Sequence, residues 1–436
     1  MEAGTTAGPT QVEVRITALD VARGIALFGI LLMNITMFGM PFAYSNPANF
    51  GGSTGADLWA WIITEMGFEG TQRGLFSLLY GAGIAIMTAS LDKSTRPHAQ
   101  DLFFRRTLWL VVFGIVHGFL LLWTGEILFF YGATAVFVYG LRNATPRTMI
   151  GIALGGLLFN AGWNLIDAKG PIDAHRAYVA ADSVKQTLAE GDTLSTQQSD
   201  AIKKWEGMLK NHSPDSAKIA KELEVYHGGY WGILKHQAPS LTRWQSWGLY
   251  RYFFDIFSIM LLGIALLRLG IITGGKPAST YALLMLVGYV GGLAVNYWEL
   301  RTILDGEFGL IAFRRAGVTY DLGRLLMTVG HLGSIMLFCK SGILPWLQRS
   351  LAAVGRMAFT NYISHSIICA IVFYGFGFGL YGELSRHQLY YVVGSIWLFQ
   401  LITSPIWLRH FRFGPLEYLW RWLTYGERPA FRVASP

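Results

Sequence analysis

LDVARGIALFGILLMNITMFG, Leu19 to Gly39, decides the fold class. It is apolar for about the 20 residues that an α-helix needs to cross a hydrocarbon core ~30 Å thick. Its two charges, Asp20 and Arg23, sit at its start, and one amide, Asn34, sits towards its end. Runs of the same kind recur at 72–90, 107–123, 127–141, 148–166, 252–271, 280–298, 322–340, 357–380 and 388–409. This pattern specifies an all-α, polytopic integral membrane protein of about ten transmembrane helices. Residues 57–68 are apolar but too short to span, and suit an interfacial or re-entrant helix.

Composition points the same way. Of 436 residues, 53% are hydrophobic and 14% charged, and mean hydropathy is +0.38. A soluble domain carries about 25% charged residues. A soluble globular enzyme, a disordered chain and a disulfide scaffold are thereby excluded. Cys339 and Cys369 lie in apolar runs and suit buried small hydrophobes. The first apolar run lacks a small-residue cleavage site, so it is expected to be a retained span, not a signal peptide.

Three regions are expected: an N-terminal five-helix membrane half (1–166), an extracytoplasmic helical insertion (167–251), and a C-terminal five-helix half (252–436) with an amphipathic tail. From Asp167 to Arg243 the chain holds 10 basic and 10 acidic residues, a soluble-type density. Helical patterns run through Val184–Leu209 and Ile219–Leu234, and the aromatic stretch Tyr226–Trp247 suits a membrane interface. With the N-terminus inside, Lys and Arg in short cytoplasmic segments number 18, against six on the opposite side. The positive-inside rule then places both termini in the cytoplasm and the insertion outside, in a bacterial cytoplasmic membrane. The net charge of +8 is accordingly a topology signature and implies no nucleic-acid partner.

Ionisable residues inside spans are costly and mark candidate sites. In the first span Asp20, Arg23, Leu27, Ile30 and Asn34 share one helical stripe. The eighth carries Asp321, Arg324, Thr328, His331 and Ser334 in steps of three or four. There Arg324 is suited to clamping an anion bidentately and His331 to exchanging a proton. The third span holds His117, with Glu126 in the turn after it. An unbroken helix would hold these two about 13 Å apart, so direct pairing is not expected. Glu65, Glu69 and Arg73 cluster at the outer start of the second span, and Asp255 lies one turn from Arg251. In the ninth span Asn361 and His365 share a face. Glu417 and Arg421 lie on the amphipathic tail.

Near-matches to known motifs lack their context. Gly270–Lys276 has P-loop spacing, but Pro277 replaces the Ser/Thr and no strand precedes it. Gly51–Gly55 fits the GxSxG string only as a Gly-rich loop. Gly81 and Gly83 suit close helix packing. No metal motif is present.

Several stretches resemble the YeiB-like membrane proteins. They are Arg15–Asn34 (RITALDVARGIALFGILLMN), Leu75–Gly83 (LFSLLYGAG), the Gly125-Glu126-Ile127-Leu128 turn, where the family has Asp for Glu126, Gly355–Tyr362 (GRMAFTNY) and Phe413–Arg421 (FGPLEYLWR). The resemblance covers nearly the whole chain and implies an architecture more than an activity. The first-span pattern is similar to that of heparan-alpha-glucosaminide N-acetyltransferase, which passes an acetyl group from cytoplasmic acetyl-CoA to a sugar amine across the membrane. That enzyme uses an asparagine that Asn34 resembles in position, and a histidine in the following loop. No histidine lies between Asn34 and Asp57 here. Either another residue serves as base, or the activity differs.

The resemblance thus implies an acyltransferase using acyl-CoA as donor. Asn34, His331, His117 and Glu126 are its candidate catalytic residues. Arg23, Arg105, Arg106 and Arg356 are candidates for the CoA phosphates, and Asp20, Arg73, Arg324, Asn361 and His365 for the substrate. Its expected partners are the lipid bilayer, acyl-CoA and an acceptor, with a homodimer as a candidate assembly. A transporter or exporter of a small metabolite, using the same residues as a substrate path, is the alternative, followed by a non-enzymatic membrane protein.

Overall fold

The computed structural model describes residues 17–94, 98–188, 192–212 and 216–433. Arg15 and Arg96, both counted in the charge bias, lie outside them. The first half contains α1 (Thr17–Gly39), α2 (Gly55–Gly67), α3 (Thr71–Asp92), α4 (Asp101–Leu120), α5 (Leu128–Gly140) and α6 (Pro146–Thr187). The insertion adds α7 (Thr196–His212), α8 (Ser216–Tyr226) and α9 (Tyr230–Arg243), which a π-turn at Trp244–Gly248 joins to α10 (Leu249–Arg268). Then follow α11 (Ala278–Asp305), α12 (Leu310–Ala316), α13 (Tyr320–Ser341), α14 (Pro345–Arg356), α15 (Ala358–Phe373), α16 (Arg386–His410) and α17 (Pro415–Tyr425).

Among the described residues, eight helical stretches are long and apolar enough to cross a membrane, counting α2 with α3 and α9 with α10. The other two expected spans are the shorter apolar helices α5 and α15. At 1.5 Å per residue α5 is only ~20 Å long. A short helix is tolerated at membrane depth where protein rather than lipid covers its ends. Here α5 packs between α4 and α10 and buries Phe130, Tyr131, Ala135 and Val138. On α11, by contrast, Leu283, Leu286, Val287, Val290 and Leu293 form an exposed apolar face fit for lipid.

Helix ends follow local chemistry. Thr145 caps α6 through the Thr148 N–H, with Pro146 as the first helical residue. Ser385 and Gln388 form a capping box at α16. Small residues bring helices together. A Cβ on Gly355 would strike the Asp20 carbonyl, one on Gly24 the Leu351 carbonyl, and one on Gly81 the Met260 carbonyl. The α1–α14 and α3–α10 crossings therefore rest on backbone contact. Leu27, Leu75, Ile259, Leu332 and Phe373 lie in one buried core, so both halves share it.

The insertion differs from its sequence pattern. α6 runs unbroken through the expected boundary at 166, and the expected helix over 184–209 is divided between α6 and α7. The other expected helix breaks at 227–229, between α8 and α9. The insertion is seated on the membrane helices. Tyr226 stacks on Tyr381 with ring centroids 4.0 Å apart, and the Tyr226 carbonyl accepts from the Gly375 N–H at 2.8 Å.

The tail helix α17 has a defined structural task. Glu417 accepts from the Phe359 N–H at 2.7 Å, the Thr360 N–H at 3.0 Å and the Thr360 hydroxyl at 2.5 Å. It thus satisfies orphan amides at the start of α15 from a different helix. Burial raises its carboxyl above the ordinary carboxylate range, although these donors pull the other way. Glu417→Ala orphans both amides and is expected to cost roughly 2–4 kcal/mol. A wild-type melting temperature for that variant in detergent would show that α17 does not anchor α15.

Candidate active site

The first polar centre lies where α4, α5 and α15 meet. α4 ends at Leu120, Leu122 takes a left-handed φ of 55°, and the chain turns back through Thr124 and Gly125 into α5. Glu126 accepts from the Leu128 and Phe129 N–H groups, a carboxylate at a helix N-terminus. This reversal brings Glu126 Oε1 to 3.9 Å from His117 Nδ1, with both side chains fully buried. The separation expected from a continuous helix is thereby corrected. On its other side, His117 Nε2 lies 2.7 Å from the Ser366 hydroxyl. If Nε2 accepts the serine proton, Nδ1 carries the ring hydrogen and faces the carboxylate. Tyr362 packs edge-on against the imidazole and accepts from Trp123 Nε1 at 3.3 Å.

Asn34 lies on the helix that closes this centre. One turn on, Phe38 stacks on Trp123 with centroids 3.8 Å apart. Asn34 is half-buried and makes no hydrogen bond among the described residues, which leaves its amide donors available.

A second centre is a buried charge network. Arg324 binds Asp255 with both terminal nitrogens, one bond being 2.8 Å, and reaches Asp321 at 3.0 Å. Arg73 approaches Asp255 at 3.5 Å. Asn160 and Asn164 donate to Asp321 at 2.6 and 2.8 Å, and Arg251 donates to both amides. Two expectations change here. The bidentate fork of Arg324 is occupied by Asp255, so it is not open to clamp an external anion. Asp255 makes its ion pairs across helices with Arg324 and Arg73, while its expected neighbour Arg251 acts on it only through its field and donates instead to Asn160 and Asn164. A cavity of about 220 Å3 adjoins the network at Arg73, Arg251 and Asp321.

The remaining candidates scatter. Asp20 pairs with Arg23 at 3.2 Å, and Arg23 passes beside Gly83 of α3. Arg106 lies 3.9 Å over the Trp420 ring and within electrostatic reach of Tyr80, one turn from Gly83. Arg105 points towards Gly426. Arg356 ends α14, against the start of α1. All four arginines therefore lie at the end of the bundle where α1 begins. Asn361 donates to the Val354 carbonyl and Ser404, and His365 meets Gln400 at 3.1 Å. These bonds tie α15 to its neighbours. His331 uses both ring nitrogens, with the Gly67 carbonyl at 2.8 Å and the Tyr289 hydroxyl at 2.9 Å. A carbonyl can only accept, so Nε2 carries the proton. His331 stands apart from the His117 centre, its Nδ1 facing the Tyr289 hydroxyl.

Ser366 was not singled out in the sequence. Its one signal is the i, i+4 spacing from Tyr362, which places both on the His117 side of α15. Glu299, which lines a cavity where α1 ends and α13 and α16 begin, was missed because it looks like an ordinary span-edge charge.

The class is therefore a polytopic α-helical membrane protein with a water-excluded Ser–His–Glu constellation and a separate buried ion network. Residues 266–427 match a family model described as "Protein of unknown function (DUF418)". The chain is 30% identical over 431 residues to the "Uncharacterized protein YeiB" of Escherichia coli (strain K12), covering 97% of this chain and 98% of that protein. It is also 30% identical over 427 residues to the "Uncharacterized protein YxaH" of Bacillus subtilis (strain 168), covering 96% of each. The chain belongs to the YeiB-like family of DUF418 proteins. No solved structure matches it.

Proposed function

We propose that this protein is a membrane acyltransferase, moving an acyl group from cytoplasmic acyl-CoA to an acceptor on the opposite side, a glycan, lipid or small molecule. The observation that carries this reading is His117, held between the Ser366 hydroxyl and the Glu126 carboxylate in a dry interior. The acceptor's proton passes to Ser366 Oγ as the serine proton passes to His117 Nε2, and the acceptor attacks the thioester carbonyl. Glu126 stabilises the imidazolium so formed. The Asn34 amide donates to the developing oxyanion. Collapse breaks the carbon–sulfur bond, and His117 returns the proton to the leaving CoA thiolate. Exclusion of water guards the thioester against hydrolysis. The arginines at the α1-start end suit the CoA phosphates.

Purified protein is expected to release CoA and label an acceptor in membrane extracts when given acetyl-CoA or longer acyl-CoAs. The absence of both thermal stabilisation and CoA release with every donor would reject the reading. Asn34→Ala is expected to lower the transfer rate about 10²–10³-fold while the protein still inserts. An unchanged rate removes Asn34 from the site.

The Arg73–Asp255–Arg324 network beside its cavity favours a second reading, transport of a small metabolite. Solute flux in proteoliposomes without any acyl donor distinguishes the two.

A further inference from the structure

A cavity of about 450 Å3 opens where α1 ends and α13 and α16 begin, on the insertion side of the bundle. It is separate from the His117 centre. Three carboxylates face it: Glu65 of α2, Glu69 of the α2–α3 turn and Glu299 of α11. Trp61, Tyr320 and Tyr390 supply aromatic wall.

The charges in this cavity do not balance. Glu69 accepts from the Tyr320 hydroxyl at 3.2 Å and lies within the field of Arg73 and Arg324. Glu299 accepts from the Thr319 hydroxyl at 2.6 Å, a neutral partner. Glu65 makes no hydrogen bond or ion pair among the described residues, and its charged neighbours are Glu69, Glu299 and Arg386. Arg386 is 94% buried by its 6% exposure and lines the same cavity. It spends one terminal nitrogen on the Tyr44 carbonyl, lies near Asp57 and Glu65, and leaves Nε without a partner. A cavity in which three carboxylates face one lining guanidinium, with aromatic walls and an unused buried N–H donor, suits a cation that also carries an acceptor atom.

We infer that this cavity binds an organic ammonium compound, its nitrogen between Glu65 and Glu299, its apolar body against the aromatic wall and a hydrogen-bond acceptor towards Arg386. Ammonium groups gain over aromatic faces as well as from carboxylates, and the volume lies within the roughly 300–1,000 Å3 of small-molecule pockets. This goes beyond the acyl-transfer reading, because binding is measured with no acyl donor present and stands or falls separately from turnover.

The test uses full-length protein in nanodiscs and three near-isosteric probes: 2-phenylethylammonium, 2-phenylethanol and phenylacetate. Calorimetry is expected to show the ammonium binding roughly tenfold or more tightly than the alcohol, with phenylacetate weakest. Glu65→Gln and Glu299→Gln are each expected to remove most of that advantage, whereas Arg349→Gln, on the exposed α14 surface, leaves it intact. Size-exclusion elution as wild type confirms folding, and if one glutamate variant fails to fold, the other carries the test. Equal affinity for ammonium and alcohol overturns the inference. So does an ammonium preference that survives in a folded glutamate variant.

Discussion

Arg324→Ala is expected to destabilise the protein by about 3–5 kcal/mol, the cost of leaving a buried charge without its partner. The Arg324 and Asp255 side chains are 2% and 4% exposed. Removing the guanidinium takes both bonds from Asp255, leaving it Arg73 at 3.5 Å and the field of Arg251, and strips one of three side-chain donors from Asp321. Arg324→Met combined with Asp255→Leu removes both charges while keeping volume. It is expected to recover most of the loss, because a buried pair replaced by apolar groups is often close to neutral. Thermal unfolding in detergent of Arg324→Met, Asp255→Leu and their double variant measures this coupling. A single variant as stable as wild type, or a double variant whose loss equals the sum of the singles, would show that the pair is not coupled.

His117→Ala is expected to lower acyl transfer by roughly 10²–10⁴-fold, the usual worth of a positioned general base. The ring has hydrogen-bond contact with Ser366, and its Nδ1 faces the Glu126 carboxylate at 3.9 Å. Ser366→Ala should fall by a similar factor, because relay and base act as one unit and such effects do not add. Glu126→Gln should fall less, since an amide still accepts from the α5 start but stabilises the imidazolium poorly. The losses belong in turnover, with the apparent KM for acyl-CoA little changed, because none of the arginines proposed for the CoA phosphates is altered. Equal transfer by wild type and His117→Ala, with both folded, removes this centre from the chemistry. A raised KM with turnover intact would assign His117 to binding.

Much of the fold is legible in the chain. Each of the ten apolar runs coincides with a helix, because crossing a bilayer demands an unbroken local stretch of apolar residues and internal backbone hydrogen bonding. The short helix α2 and the glycine contacts at Gly81 were likewise readable, from length and residue size. The site was less so. Asp20 with Arg23 is a local pair on one helix, and spacing alone reveals it. Spacing misled at His117 and Glu126, because periodicity assumes that the helix continues and α4 stops at Leu120. It also assigned Arg324 a free guanidinium, since Asp255 is 69 residues away in the chain.

The sequence by itself therefore determined the class of molecule, the positions of its spans and the short list of polar residues inside them. These follow from transfer energies summed over neighbouring residues. Only the tertiary structure decided which of those polar residues meet. Ser366 reaches His117 across 249 positions because α4 and α15 cross there. His331 stands outside that centre, its nitrogens tied to the Gly67 carbonyl and the Tyr289 hydroxyl. Partnership in a dry interior is set by helix packing, which no local pattern encodes.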